Sequence, residues 1–141
     1  MKVSDILKVK GSNVYWVTPQ TSVFEALKQM SEKNIGALLV MEDGKLKGIF
    51  SERDYARKII LMGRSSQETL VQEIMTERVF TVSPDERIEQ CMELMSENRF
   101  RHLPVVNDSV VVGVISISDV VTAIIHKQKE TIDHLKDYIS K

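Results

Sequence analysis

Apolar and polar positions along this chain change period several times, and the same order of changes occurs twice. The stretch Val14-Tyr15-Trp16-Val17 reads as a short strand, which Thr18-Pro19 ends. Val23, Ala26, Leu27 and Met30 then recur at helical spacing. Ala37-Leu38-Leu39-Val40-Met41 is the short, wholly apolar run of a buried strand. Asp43-Gly44 supplies a two-residue hairpin turn, because both residues tolerate positive φ. Leu46 to Ser51 returns as the next strand, and Arg53 to Met62 follows as a closing helix.

Shifted by 65 residues, the pattern starts again. Val79 to Val82 predicts a strand, Ile88, Met92 and Met95 a helix, Leu103 to Val106 and Val110 to Ser116 two strands, and a closing helix begins near Ile117. Residues 14–55 and 79–120 align without a gap and are identical at twelve positions, including Pro19/Pro84, Gly48/Gly113, Ser51/Ser116 and Asp54/Asp119. Upstream, Val3-Ser4-Asp5-Ile6-Leu7 resembles Val71-Gln72-Glu73-Ile74-Met75 at a shift of 68, so each copy opens with a short helical turn. Gly63-Arg64-Ser65-Ser66 reads as a helix stop and loop, and Thr69 to Gln72 has the spacing of a capping box. The expected organisation is a first repeat over 1–63, a linker over 64–70, a second repeat over 71–127 and a C-terminal helical extension over 128–141. The fold class is mixed α and β, two βαββα repeats.

No helix breaker follows Ser118, and Ile125, Ile132, Leu135 and Ile139 form an apolar stripe. The tail either packs back on its own repeat or contributes to a homodimer. At 141 residues with 43% apolar content the chain can bury a real core. Its net charge of -1 supplies no general field for nucleic acid, so an anionic ligand must be held locally. The one cysteine, Cys91, falls where Ala26 stands in the first copy and reads as packing. The short, acidic start and the lack of an apolar run near the ~20 residues that span a bilayer predict a cytoplasmic protein without a membrane segment.

The candidate chemistry lies where the last strand of each copy meets its closing helix. Gly48-Ile49-Phe50-Ser51-Glu52-Arg53-Asp54 and Gly113-Val114-Ile115-Ser116-Ile117-Ser118-Asp119 both place serine at the junction and aspartate three residues on. The plainer reading is a helix cap, and duplication copies caps as faithfully as sites. The same geometry presents free N–H groups to a phosphate and a carboxylate to a ribose.

These motifs, with Val17-Thr18-Pro19 and Val82-Ser83-Pro84 and the strands Ala37-Leu38-Leu39-Val40 and His102-Leu103-Pro104-Val105, make both copies resemble CBS domains, and the tandem a Bateman module, over essentially the whole chain. The resemblance implies two repeats related by a pseudo-two-fold axis and two clefts that hold AMP, ADP, ATP or NAD ahead of S-adenosylmethionine. By position it implies one cleft of Ile49, Ser51, Arg53, Asp54, Val79, Phe80, Arg101 and His102. The other takes Val14, Tyr15, Ile35, Gly36, Ala37, Val114, Ser116, Ser118 and Asp119. In the family the aspartate holds the ribose, the serine contacts ribose or phosphate, and apolar strand residues sandwich the adenine. On this grouping Arg53, Arg101 and His102 converge on Asp54, which makes the Asp54 cleft the one expected to prefer phosphorylated nucleotides. The plain alternatives are surface or salt-bridged arginines and a histidine satisfied in the core.

An enzyme is not expected. His102, His126 and His134 belong to no nucleophile and base motif, one cysteine cannot build a thiolate metal site, and no phosphate loop or dinucleotide fingerprint is present. The expected function is a regulatory sensor, a homodimer that binds an adenine nucleotide and signals to a regulated protein. An interaction scaffold without physiological ligand is the competing reading.

Overall fold

The computed structural model of the protein describes residues 1–140. In order, the elements are α1 (Val3–Lys10), β1 (Trp16–Val17), α2 (Val23–Lys33), β2 (Ala37–Glu42), β3 (Lys45–Ser51) and α3 (Glu52–Tyr55). A π-helical turn, Ala56–Ile60, continues α3. Then come α4 (Val71–Ile74), α5 (Ile88–Asn98), β4 (His102–Asn107), β5 (Val110–Ser116) and α6 (Ile117–Ser140). The chain divides into two compact units, Val14–Phe80 and Met1–Asn13 with Thr81–Lys141.

The units do not follow the repeat boundaries. Each leading helix lies in the unit built on the other repeat: α4 closes the Val14–Phe80 unit, and α1 joins the unit that holds β4 and β5. Sequence similarity marks where a copy begins but says nothing of which apolar face its leading helix covers. The strand glycines are where those helices arrive. A Cβ at Gly48 would stand 2.7 Å from the Thr76 backbone oxygen and 2.9 Å from Met75 Sδ; one at Gly113 would stand 2.7 Å from a Leu7 methyl.

In the Val14–Phe80 unit the sheet order is β1-β2-β3, with β1 parallel to β2 and β2 antiparallel to β3. Val17, Val23, Ala26, Met30, Leu38, Val40, Phe50 and Ile59 form its core together with Val71 and Ile74 of α4. In the other unit Val82, Ile88, Cys91, Met95, Leu103, Val105 and Ile115 are buried at the matching places, with Val3 and Ile6 of α1 standing where Val71 and Ile74 do. Burial, with help from Glu86 and Glu89, pushes the Cys91 thiol up to about 11, so it packs as a neutral side chain.

The β2–β3 turn is the expected one, with Asp43 and Gly44 at φ 52° and 75°, and Asp108 and Ser109 repeat it at 50° and 67°. Both hairpins carry a bulge next to the turn-side half, between Val40 and Met41 and between Val105 and Val106.

Two local expectations change, and one of two open alternatives is set aside. The strand predicted over Val79–Val82 is reduced to a single parallel bridge between Val82 and Val105. The cause is Pro104: it stands where Leu39 donates its N–H to the Tyr15 carbonyl in the first copy, and proline has no N–H to give. The capping box expected from Thr69 is displaced by one residue, because the Glu73 carboxylate accepts from Leu70 N at 2.7 Å while Thr69 is buried. The C-terminal tail does not pack back: every residue of α6 after Lys127 is exposed.

Candidate functional site

In both units the last strand runs into a helix whose first turn is closed by serine and aspartate. Ser51 Oγ accepts from Asp54 N at 3.2 Å while Asp54 Oδ2 accepts from Ser51 N at 3.0 Å and from Ser51 Oγ at 3.1 Å. Ser116 and Asp119 repeat the reciprocal backbone bonds at 3.1 and 2.8 Å. The cap reading is therefore realised at both junctions, and the two differ in what else reaches the carboxylate.

Asp54 is almost spent within its own unit. Its Oδ1 accepts from Thr76 Oγ1 at 3.0 Å and pairs with Lys58 Nζ at 3.0 Å, and the side chain is 9% exposed. Lys58 also donates to the Ile74 carbonyl at 2.9 Å, and Thr76 is fixed by two backbone bonds with Ile49, so α4 and α3 are tied through this aspartate. Asp119 is 23% exposed, and Lys10 reaches it, donating to Oδ2 at 2.6 Å and to the Val114 carbonyl at 2.7 Å. Burial acts to raise the Asp119 pKa; the bonds from Lys10 and Ser116 outweigh it and hold the carboxyl below its usual value.

The hairpin register decides which of the other predicted residues stand beside each aspartate. Ala37 pairs with Ser51, and Gly36 O accepts from Glu52 N at 3.1 Å, so Ile35, Gly36 and Ala37 border the Asp54 junction. His102 pairs with Ser116, and Arg101 O accepts from Ile117 N at 2.8 Å, so Arg101 and His102 border Asp119. This departs from the expected grouping, which gave Ile35–Ala37 to Asp119 and Arg101 with His102 to Asp54. An antiparallel hairpin necessarily brings the start of its first strand to the end of its second.

Within the Val14–Phe80 unit, Ile49 is buried, Arg53, Val14, Tyr15, Val79 and Phe80 are half-buried, Lys33 lies 5.3 Å above the Tyr15 ring, and Arg78 lies 5.4 Å from Phe80. In the other unit Val114 is half-buried and Ser118 exposed. His102 senses the charges gathered there. Burial lowers its pKa first, Lys10 and Arg101 lower it further, and Asp119 opposes them. Sequence reasoning missed Lys10, Lys58 and Thr76. Lys58 could have been found, four residues after Asp54 on the closing helix; Lys10 lies 109 residues from Asp119.

Paired βαββα repeats, each ending a strand in this Gly-to-Asp junction, define the class of the protein, and comparison with known proteins agrees. The CBS domain family model matches residues 3–61 and 71–126, and the chain belongs to that family. It is 43% identical to the mitochondrial CBS domain-containing protein CBSX3 of Arabidopsis thaliana, over 97% of this chain and 71% of that protein. It is 32% identical to the CBS domain-containing protein YhcV of Bacillus subtilis, over 83% of each. Among solved structures it resembles a putative signal-transduction protein with CBS domains from Burkholderia ambifaria, with 46% identity, a TM-score of 0.87 and coverage of 91% and 96% of the two chains. CBS-domain pairs are in general regulatory or signal-transduction modules, and this chain is such a pair. No helix among the described residues is long and apolar enough to cross a membrane.

Proposed function

We propose that the chain is a regulatory module that binds an adenosine nucleotide, AMP, ADP, ATP or NAD, chiefly at the Asp119 junction, and passes the bound state to a regulated protein. The observation that carries this reading is the contrast in free capacity: Asp119 keeps solvent access with Lys10, His102 and Arg101 around it, whereas Asp54 is enclosed by Ser51, Thr76 and Lys58. A ribose needs a carboxylate able to accept both hydroxyls, and a phosphate needs cations and free N–H groups at a helix start. Asp119 takes the ribose, Ser116 and the first turn of α6 face the phosphate, and Lys10 moves from the carboxylate to the phosphate. This ranking reverses the one expected from the sequence, and what supports it is that Arg101 and His102 border Asp119 within their own unit. The signal to a partner is limited to the ligand's preference between two arrangements of the protein.

A thermal-shift series with adenosine, AMP, ADP, ATP, NAD and S-adenosylmethionine tests the proposal. A ligand at ~100 times its dissociation constant adds about 2.7 kcal/mol of stability. Asp119→Ala is expected to remove the largest shift and Lys10→Ala to weaken it more for ATP than for adenosine. Loss through Asp54→Ala with Asp119→Ala neutral reverses the ranking. No shift with any ligand supports the scaffold reading, which the self-satisfied Asp54 favours.

A further inference from the structure

Helix α6 has two apolar faces, and its own unit covers only one. Ile117, Val120, Ala123 and Ile124 are turned toward the body, which α6 meets through α5, and the last tie is Lys127 to Glu89 at 2.7 Å. The other face carries Val121, Ile125, Ile132, Leu135 and Ile139, all exposed, with Leu135 at 57% and Ile139 at 81%. Lone exposed apolar residues need no explanation, but these follow a rule. With Gln128 between them they step by four, three, four, three and four residues, the a and d positions of a heptad with isoleucine at every a from 125 to 139 and leucine at 135 as d.

From this register we infer that residues 121–139 of α6 pair with the same helix of a second copy as a parallel two-stranded coiled coil. Isoleucine at a with leucine at d, as at Ile132 and Leu135, is the combination that favours two parallel strands; the other two d positions are Val121 and the polar Gln128. Charge selects the direction. The e positions are Thr122, Lys129 and Lys136, and the neighbouring g positions are Ile124, Thr131 and Tyr138. Parallel strands set each e lysine beside an uncharged g residue, whereas antiparallel strands turn Lys129 toward Lys136 of the other copy. The stripe is also too narrow for a lipid surface, since Glu130, Asp133 and Asp137 share the remaining positions with the lysines.

Sedimentation equilibrium of the full chain is expected to give a dimer, and Ile132→Lys with Leu135→Lys to raise its dissociation constant by roughly 100-fold or more. Both positions lie on the exposed part of α6, so the variant's melting curve at high dilution should match that of the wild type. Ile139→Cys, with Cys91 buried and silent, is expected to form a disulfide-linked dimer under mild oxidation, because only parallel strands bring 139 to 139. A monomer at ~100 μM, a dimer indifferent to the double lysine variant, or a dimer without the 139 cross-link overturns the proposal. So does binding of the wild type, but not the variant, to phosphatidylglycerol vesicles.

Discussion

Asp54 and Asp119 stand at the same point of two copies of one motif, yet the first is a structural knot and the second a loosely held charge. Asp54 gathers Ser51, Thr76 and Lys58 and is nearly out of solvent; Asp119 shares the cap with Ser116 and is otherwise held by the terminal amine of Lys10. The difference comes from the leading helices. Thr76 follows α4 and its short hydroxyl sits at hydrogen-bond distance, while the equivalent residue, Lys8, is still within the longer α1 and the partner is supplied two residues later by the flexible side chain of Lys10. Duplication preserved the cap and left the surroundings free to diverge, so equal motifs need not mean equal sites.

The largest effect expected from this contrast is on stability. Asp54→Ala strips partners from Thr76, Lys58 and Ser51 N in a nearly closed environment and should cost about 2–3 kcal/mol in urea denaturation without ligand. Asp119→Ala, which removes a cap and a part-exposed ion pair, should cost about 1 kcal/mol. Equal losses would erase the distinction.

A smaller difference is expected at the glycines. Gly48→Ala would press its Cβ on the backbone oxygen of Thr76, which cannot turn aside, and should cost about 2 kcal/mol; Gly113→Ala meets Leu7 methyls, which can rotate, and should cost roughly 1 kcal/mol or less. Thermal melts of the two variants, measured side by side, decide it.

The smallest effect expected is a pH dependence set by His102 beside Asp119. The His102 pKa is lowered from 6.5, so the unfolded chain binds its proton first, and the stability His102 contributes is full above about pH 6.5 and falls as the pH drops below it. Asp119, lowered from 3.8, contributes stability that is lost only as the pH falls below about 3.8. His102→Gln should flatten the stability profile just below about pH 6.5 and leave the limb below about pH 3.8 unchanged; an unaltered slope just below about pH 6.5 would remove His102 from the account.

Much of this was legible in the sequence, and the failures have definite causes. The hairpins could be read because Asp43-Gly44 and Asp108-Ser109 permit positive φ, and the repeat because core positions such as Ala26/Cys91 and Phe50/Ile115 keep their burial at a shift of 65. The neighbours of each aspartate within its own unit were passed over although the hairpin itself fixes them, for Ala37 opposite Ser51 follows from turn, bulge and antiparallel pairing. The missing strand at Val79–Val82 turns on one absent N–H, a detail that apolar patterning ignores. Lys10 had no local signature, since nothing in a helix ending in Lys8-Val9-Lys10 points to an aspartate more than a hundred residues ahead.

The placement of the leading helices also bears on the order in which the protein is made. The Val14–Phe80 unit has all its parts once Phe80 has left the ribosome, so it can fold while the rest is still being synthesised. Helix α1, translated ahead of every strand, has its place beside β5 and must wait for strands that emerge about a hundred residues later. Until then the apolar side of α1, Val3 and Ile6, has no cover, and closing so long a loop is the slow, entropically costly step. A helix made before every strand is thus among the last elements to find its place.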